Sequence, residues 1–183
     1  MNRQEALKLV EEKIKNKNLV KHCLAVEACM RALAGHFNQD SEKWGLAGLL
    51  HDIDYEETKD NPKRHSLAGA EMLEQLGIDK DIVEAVKTHN EMHGLHPQNL
   101  MAKALFCLDP LTGLIVAATL DLPDKKIKDL TVDNVLNRFQ EKAFARGATR
   151  EIIQKCSEID LTLEKFTDIS LKAMQEISEE LGL

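Results

Sequence analysis

Seven histidines are spread along the 183-residue chain, and several sit on or beside apolar helical stripes. His22 lies three residues after Leu19 and four before Val26. His51 follows Trp44 and Ala47 at helical spacing, and Asp52 follows Gly48 by four. His65 begins a stripe through Gly69, Met72 and Leu76, while His89 extends one through Ile82 and Ala85. Asp109 follows Leu105 by four and precedes Thr112 by three. Burying an ionised carboxylate costs several kcal/mol unless it is paired or coordinates a cation. Asp52 and Asp109, at core-facing helical positions, therefore need a partner that neutral histidines do not supply. A divalent metal ion answers both needs, because imidazole nitrogen and carboxylate oxygen are its usual donors. A lone histidine at a stripe edge is more often a hydrogen-bonded core residue than a ligand. An adjacent His-Asp pair is also common by chance. Ordered recurrence on successive helices is what carries the reading.

Helices must position these residues, because the apolar periodicity is helical almost throughout. Ala6, Leu9, Val10 and Ile14 form one stripe, and Leu19, Cys23, Val26, Met30, Leu33 and Phe37 form a second, longer one. Asp40 or Ser41 can cap a third helix that runs into His51. Asp54 to Lys63 is charged, contains Pro62 and reads as a loop. A helix is expected from about His65 to Leu76, with Gly77 as a left-handed terminator, and another over Ile82 to His89. Leu100 to Leu120 reads as a helix kinked by Pro110 and ended by Pro123. Shorter helices are expected over Thr131 to Arg146 and Thr149 to Cys156, then a long one through Leu163, Phe166, Ala173, Ile177 and Leu181. The expected architecture is all-α, a single domain over 1–183 with a core at about 18–120 and a helical extension at about 121–183.

Composition narrows the partners. Charged residues are 30%, apolar ones 43%, and the net charge is −7, as in a soluble globular chain rather than a disordered or membrane one. That charge argues against broad nucleic-acid or anionic-membrane binding, and 4% aromatic residues leave little for a single-strand stacking platform. No nucleic-acid polymer and no membrane are expected as partners. Cys23, Cys29, Cys107 and Cys156 fall in apolar helical contexts without a CxxC pair, which suits buried free thiols in a reducing compartment. The mixed-charge stretch Met1 to Lys17 is unlike a secretory signal, and the longest apolar run, Gly113 to Leu120, is short of a membrane span. A cytoplasmic location is the expectation.

The order His22, then His51-Asp52, then Asp109, each in a helical segment, resembles the HD superfamily of metal-dependent hydrolases. The segments GLLHDIDYEE (Gly48 to Glu57), RHSLAGAEML (Arg64 to Leu73), VKTHNEMHG (Val86 to Gly94), LDPLTGLIVAATL (Leu108 to Leu120) and EKAFARGATREII (Glu141 to Ile153) are similar to its HDIG-type bacterial and archaeal branch. The resemblance implies a core of about five helices with additional C-terminal helices. It implies metal ligation by His22, His51, Asp52 and Asp109, with His65 and His89 matching the extra histidines of two-metal members, where Asp52 would bridge the ions. Asn90 stands where the cyclic-dinucleotide branch carries a further histidine, and His51-Asp52-Ile53-Asp54-Tyr55 lacks that branch's HDIGK lysine. Both departures weaken a cyclic-dinucleotide assignment.

The chemistry so implied is phosphohydrolysis of a small phosphorylated substrate, a nucleotide or phosphoester, by a metal-activated water. One or two divalent ions are expected, and mixed N/O ligation suits Mn, Fe, Co, Ni or Zn better than Mg. Beside Asp52, the catalytic candidates are Asp54 and Glu56, as general acid or water-positioning groups. Arg64, next to Lys63, and Lys142 with Arg146, on one helical face, are the candidates for binding phosphate. Asn90 and Glu91 could orient His89. His36 and His96 read as surface residues, and His93 could share the face of His89. Two alternatives stand beside hydrolysis: a di-iron HD-type oxygenase, and a non-catalytic binding module that the ion only stabilises. Oligomeric state is left open by the sequence.

Overall fold

A computed structural model describes all residues from Met1 to Leu183, and its regular structure is helical, without a strand. In chain order the α-helices are α1 (Arg3–Lys13), α2 (Lys17–His36), α3 (Ser41–Leu50), α4 (Tyr55–Thr58), α5 (Leu67–Gln75) and α6 (Lys80–Thr88). They continue as α7 (Leu100–Leu120), α8 (Val132–Gln140), α9 (Arg150–Ile153), α10 (Leu163–Glu176) and α11 (Ser178–Leu181). Short 3-10 turns lie at Glu91–His93, Ile127–Asp129 and Gln154–Ile159.

The helix starts follow local chemistry. Asp40 caps α3 by accepting from the backbone N–H groups of Glu42 and Lys43, at 2.9 and 3.1 Å. Asn99 does the same for α7 through Ala102. Such caps satisfy donors that the first turn leaves unpaired. Gly77 ends the α5 region at φ +69°, the left-handed conformation expected there.

The core is organised around two contacts. The most extensive helix pair is α2 with α3. Gly48 allows it, since a Cβ there would sit 2.8 Å from the Val26 carbonyl oxygen and 2.9 Å from the Glu27 nitrogen. The second organiser is α7, which touches α2, α6, α8, α9 and α10 and buries Leu105, Leu108, Leu111 and Leu114 completely. At 21 residues and a mean hydropathy of 1.7, α7 is long and apolar enough to cross a membrane. The apolar run expected to fall short of a span, Gly113 to Leu120, is only the C-terminal part of this helix. In the fold, 61% of its apolar window is buried inside the protein. One hydrophobic cluster runs from Ala6 and Val10 through these helices to Phe166, Met174 and Leu181.

Besides the short α9 and the break between α10 and α11 at Ile177, three boundaries differ from expectation near the site. The charged segment after the His-Asp pair is not all loop, because α4 occupies Tyr55–Thr58. The helix expected from His65 begins at Leu67, since Ser66 adopts φ +70°. And α8 stops at Gln140, leaving turns over 142–147 where a helix was expected to continue to Arg146. The cause of the last difference is Arg150. Its guanidinium donates to the carbonyls of Arg138, Phe139, Glu141, Phe144, Ala145 and Ala148, at 2.7 to 3.4 Å. A rigid fork of five N–H donors can collect carbonyls that no continuing helix would leave free.

Candidate metal centre

Five elements bring the histidines and carboxylates to one place. His22 projects from α2, and Asp109 from the middle of α7. His51 is the residue that ends α3, with Asp52 directly after it, and His89 likewise ends α6. His65 sits in the turn before α5, beside the buried Ser66, whose hydroxyl donates to the Lys87 carbonyl at 3.1 Å. A non-glycine residue at positive φ is strained, and here the strain is borne next to a histidine of the cluster.

The side chains form two groups around one carboxylate. In the first, the Nε2 of His22 lies 3.1 Å from the Nε2 of His51 and 2.9 Å from Oδ1 of Asp109. In the second, the Nε2 atoms of His65 and His89 are 3.2 Å apart. Asp52 stands between them. Its Oδ2 is 3.8 and 3.5 Å from the Nε2 atoms of His22 and His51. Its Oδ1 is 3.3 and 3.5 Å from those of His65 and His89. The donor atoms of His22, His51 and Asp109 fall within 4.8 Å of one another, as do those of His51, Asp52 and His89.

The outer faces of the four rings are tied down. His51 Nδ1 donates to the Gly48 carbonyl at 2.7 Å, and His89 Nδ1 donates to the Val86 carbonyl at 2.7 Å. A carbonyl can only accept, so both protons are on Nδ1. His65 Nδ1 donates to Asp54 Oδ1 at 3.0 Å. The Thr112 hydroxyl donates to the Asp109 carbonyl at 2.9 Å, which leaves it to accept from His22 Nδ1 at 3.3 Å. Each neutral ring would then turn a bare Nε2 lone pair inward, facing another at little more than 3 Å. Two lone pairs at that distance repel unless a cation lies between them. Nδ1 held by an acceptor with Nε2 left free is also how metal-ligating histidines are oriented. The donor set therefore fits a divalent metal.

Without an ion, protons must take that place. Burial alone would lower the His51 pKa, but the facing Asp52 and Asp109 carboxylates outweigh it and raise the imidazole to about 9. His65 is likewise opposed by burial and raised to about 10 by Asp52 and Asp54. Burial works against the charged form of both carboxylates too, yet the histidines hold Asp52 and Asp109 well below the usual range.

The remaining candidates fall elsewhere. Asp54 is fully buried and spends its carboxylate on His65 and on the Gly69 N–H at 2.9 Å, so it positions a histidine and is not free as a general acid. Glu56 accepts from the backbone N–H groups of Asn16 and Lys15 at 2.9 and 3.1 Å, which hold its pKa below the ordinary value and turn it to the α1–α2 junction. Arg64 is exposed and pairs with Glu71 at 3.0 Å. Lys142 and Arg146 are exposed in the turns gathered by Arg150, so they share no helical face. Asn90 serves His65, not His89: its amide nitrogen and the His93 Nε2 lie 3.3 and 2.7 Å from the His65 carbonyl. Thr112, which meets His22 Nδ1, and His93, which meets the His65 carbonyl, play parts not expected from the sequence. Their spacing, three residues after Asp109 and Asn90, was the available signal. All four cysteines are buried and free, and none belongs to the cluster.

A cleft of about 210 Å³ opens over His65, His89 and Asp109. Phe106, Pro110 and Ile152 wall it, while Asn90, Glu91, Gly147 and Thr149 complete its rim.

A family model described as HD domain matches residues 19–118. Among curated proteins the chain is similar to Ribonuclease Y of Oleidesulfovibrio alaskensis, 27% identical over 171 residues, covering 91% of this chain and 31% of that protein. Ribonuclease Y of Lawsonia intracellularis is 30% identical over 138 residues, covering 74% and 26%. That of Thermotoga petrophila is 28% identical over 168 residues, covering 87% and 32%. The chain thus spans under a third of the length of these relatives. No solved structure matches it. The expectation that nucleic-acid polymers are excluded is overturned, since the relatives are named as ribonucleases. Net charge misled because it reports diffuse attraction to a polyanion, not capture of one phosphate at a metal site.

Proposed function

The chain belongs to the HD-domain family, and from that membership we propose that it is a metal-dependent phosphoester hydrolase, with RNA phosphodiesters as the substrate class its relatives suggest. The observation carrying this reading is the opposed histidine pairs, each ring fixed at Nδ1 and turned by Nε2 toward one oxygen of Asp52. His22, His51, Asp109 and Asp52 Oδ2 would hold one divalent ion; His65, His89 and Asp52 Oδ1 would hold a second. The mixed donor set suits Mn, Fe, Co, Ni or Zn better than Mg. Bound there, such ions supply an activated water near neutral pH and neutralise phosphoryl charge.

The residues do the rest by position. Asp52 keeps the two groups in register. Asp54 holds His65, and Thr112 holds His22, so neither ring needs to reorient on binding. The side chains of His51 and His89 are 0% and 2% exposed, against 25% for His22, 30% for Asp109 and 16% for His65. Substrate therefore approaches along the His22–Asp109–His65 side. The relatives' name favours hydrolysis over oxygenation and over a purely structural ion.

The test is hydrolysis by metal-loaded protein of an RNA oligonucleotide beside mono-, di- and cyclic nucleotides and phosphomonoesters. Cleavage of RNA that needs the metal and is lost in Asp52→Ala is expected. A fully metallated protein inert on the whole panel would overturn the proposal.

A further inference from the structure

The cleft over the second histidine pair differs in kind from a phosphate site. Fixed cations normally answer phosphate charge, yet no lysine or arginine lines this cleft. Its one ionisable side chain outside the proposed ligand set is Glu91. Asn90 is already committed, its amide nitrogen to the His65 carbonyl and its oxygen to the Met92 N–H at 3.1 Å. The Thr149 hydroxyl donates to Glu91 Oε1 at 3.3 Å, joining two lining residues from distant segments of the chain. The second Glu91 oxygen has no protein donor. The facing wall, Phe106, Pro110 and Ile152, is apolar. Lys21 instead lines a separate, larger cavity of about 520 Å³ that also takes in His22 and Gly113.

We infer that this cleft is a subsite for an uncharged, hydroxyl-bearing group of the substrate, a ribose attached to the reacting phosphate, and that Glu91 accepts a hydrogen bond from its 2′-hydroxyl. The inference rests on the reading of the centre as a phosphoester hydrolase and says which part of the substrate enters where. A carboxylate accepts from a hydroxyl and repels a second phosphate, and 2′-OH contact is what separates RNA from DNA at a given site. The cleft's volume suits a sugar-sized group and lies below the range typical of drug-sized ligands. The site so built takes the sugar at the end of a chain in preference to the interior of a polyanion.

The test compares kcat/KM of the metal-loaded full chain on a ribodinucleoside monophosphate, its 2′-deoxy counterpart, and the ribo compound carrying an added terminal phosphate. Wild type should prefer the ribo compound roughly tenfold to a hundredfold. Glu91→Ala should bring that ratio to within about twofold, through KM more than kcat. Glu91→Gln keeps an acceptor and loses the charge, so it should retain much of the ribo preference while improving use of the phosphorylated compound. Metal content and melting temperature should stay at wild-type values in both variants. A wild type that does not discriminate, or a ratio unmoved by Glu91→Ala, overturns the inference while leaving the hydrolase reading intact. If none of the three is hydrolysed while another phosphoester of the wider panel is, the inference falls and the hydrolase reading stands; inertness on that whole panel removes the reading itself.

Discussion

At the scale of single residues, the cluster works through where its protons sit. Asp54 is the clearest case, a carboxylate that touches His65 Nδ1 and leaves Nε2 for an ion. Asp54→Asn should weaken metal binding at the His65–His89 side by about 10- to 100-fold, read by metal titration, with the His22–His51 side unaffected. Protonation gives a second expectation. His51 and His65 stand at about 9 and about 10 in the metal-free fold against an ordinary 6.5, so their contribution to stability is full below pH 6.5 and is lost as pH rises through those values. Asp52 is held below its ordinary 3.8, so its contribution is full above that and is lost as pH falls through the lowered value. The melting temperature of metal-free protein should therefore be highest between about pH 4 and 6.5 and decline toward pH 10, while metal affinity rises over the same alkaline range. His22, His51, Asp52 and Asp109 were expected together on the strength of their resemblance to the HD pattern; periodicity alone marks the buried His51 and Asp52, whereas His22 and Asp109 are a quarter or more exposed. The parts of Asp54 and Glu56 were not legible in the sequence, since each depends on a contact from a distant segment, Gly69 in one case and Lys15–Asn16 in the other.

At the scale of elements, the centre depends on close helix approach and on one gathered loop. Gly48→Ala places a Cβ within 3 Å of the α2 backbone, which cannot yield as a flexible side chain would. It should cost about 1–3 kcal/mol and shift His51 with α3, so thermal melting and metal affinity should fall together. Arg150 holds the turns that bring Gly147 and Thr149 to the cleft. Arg150→Ala should destabilise by about 2–3 kcal/mol. Arg150→Lys should recover little of that, because an ammonium has no planar fork; full recovery would contradict the hub. Sequence periodicity found nearly every helix and the left-handed stop at Gly77. It overran α8 because the residue that ends the helix comes ten positions later, and a window of local pattern does not include it.

At the scale of the whole molecule, one apolar cluster joins the N-terminal helix, the central α7 and the C-terminal helices, so a metal-induced constraint at the centre is felt by the entire fold. Each site saturated a hundredfold over its Kd should add about 2.7 kcal/mol, or roughly 5–10 °C of melting temperature for a chain of this size. Chelation should remove it, and an unchanged melt after complete chelation would argue against the site. The all-helical class was plain from the sequence, whereas the pairing of opposed histidines around Asp52 exists only in three dimensions. That pairing is the central claim, and counting metal per chain tests it most directly. Elemental analysis of protein reloaded with manganese and freed of excess ion should give two equivalents for wild type, one for His65→Ala, and none tightly held for Asp52→Ala. One equivalent in wild type, unchanged by His65→Ala, would contradict it.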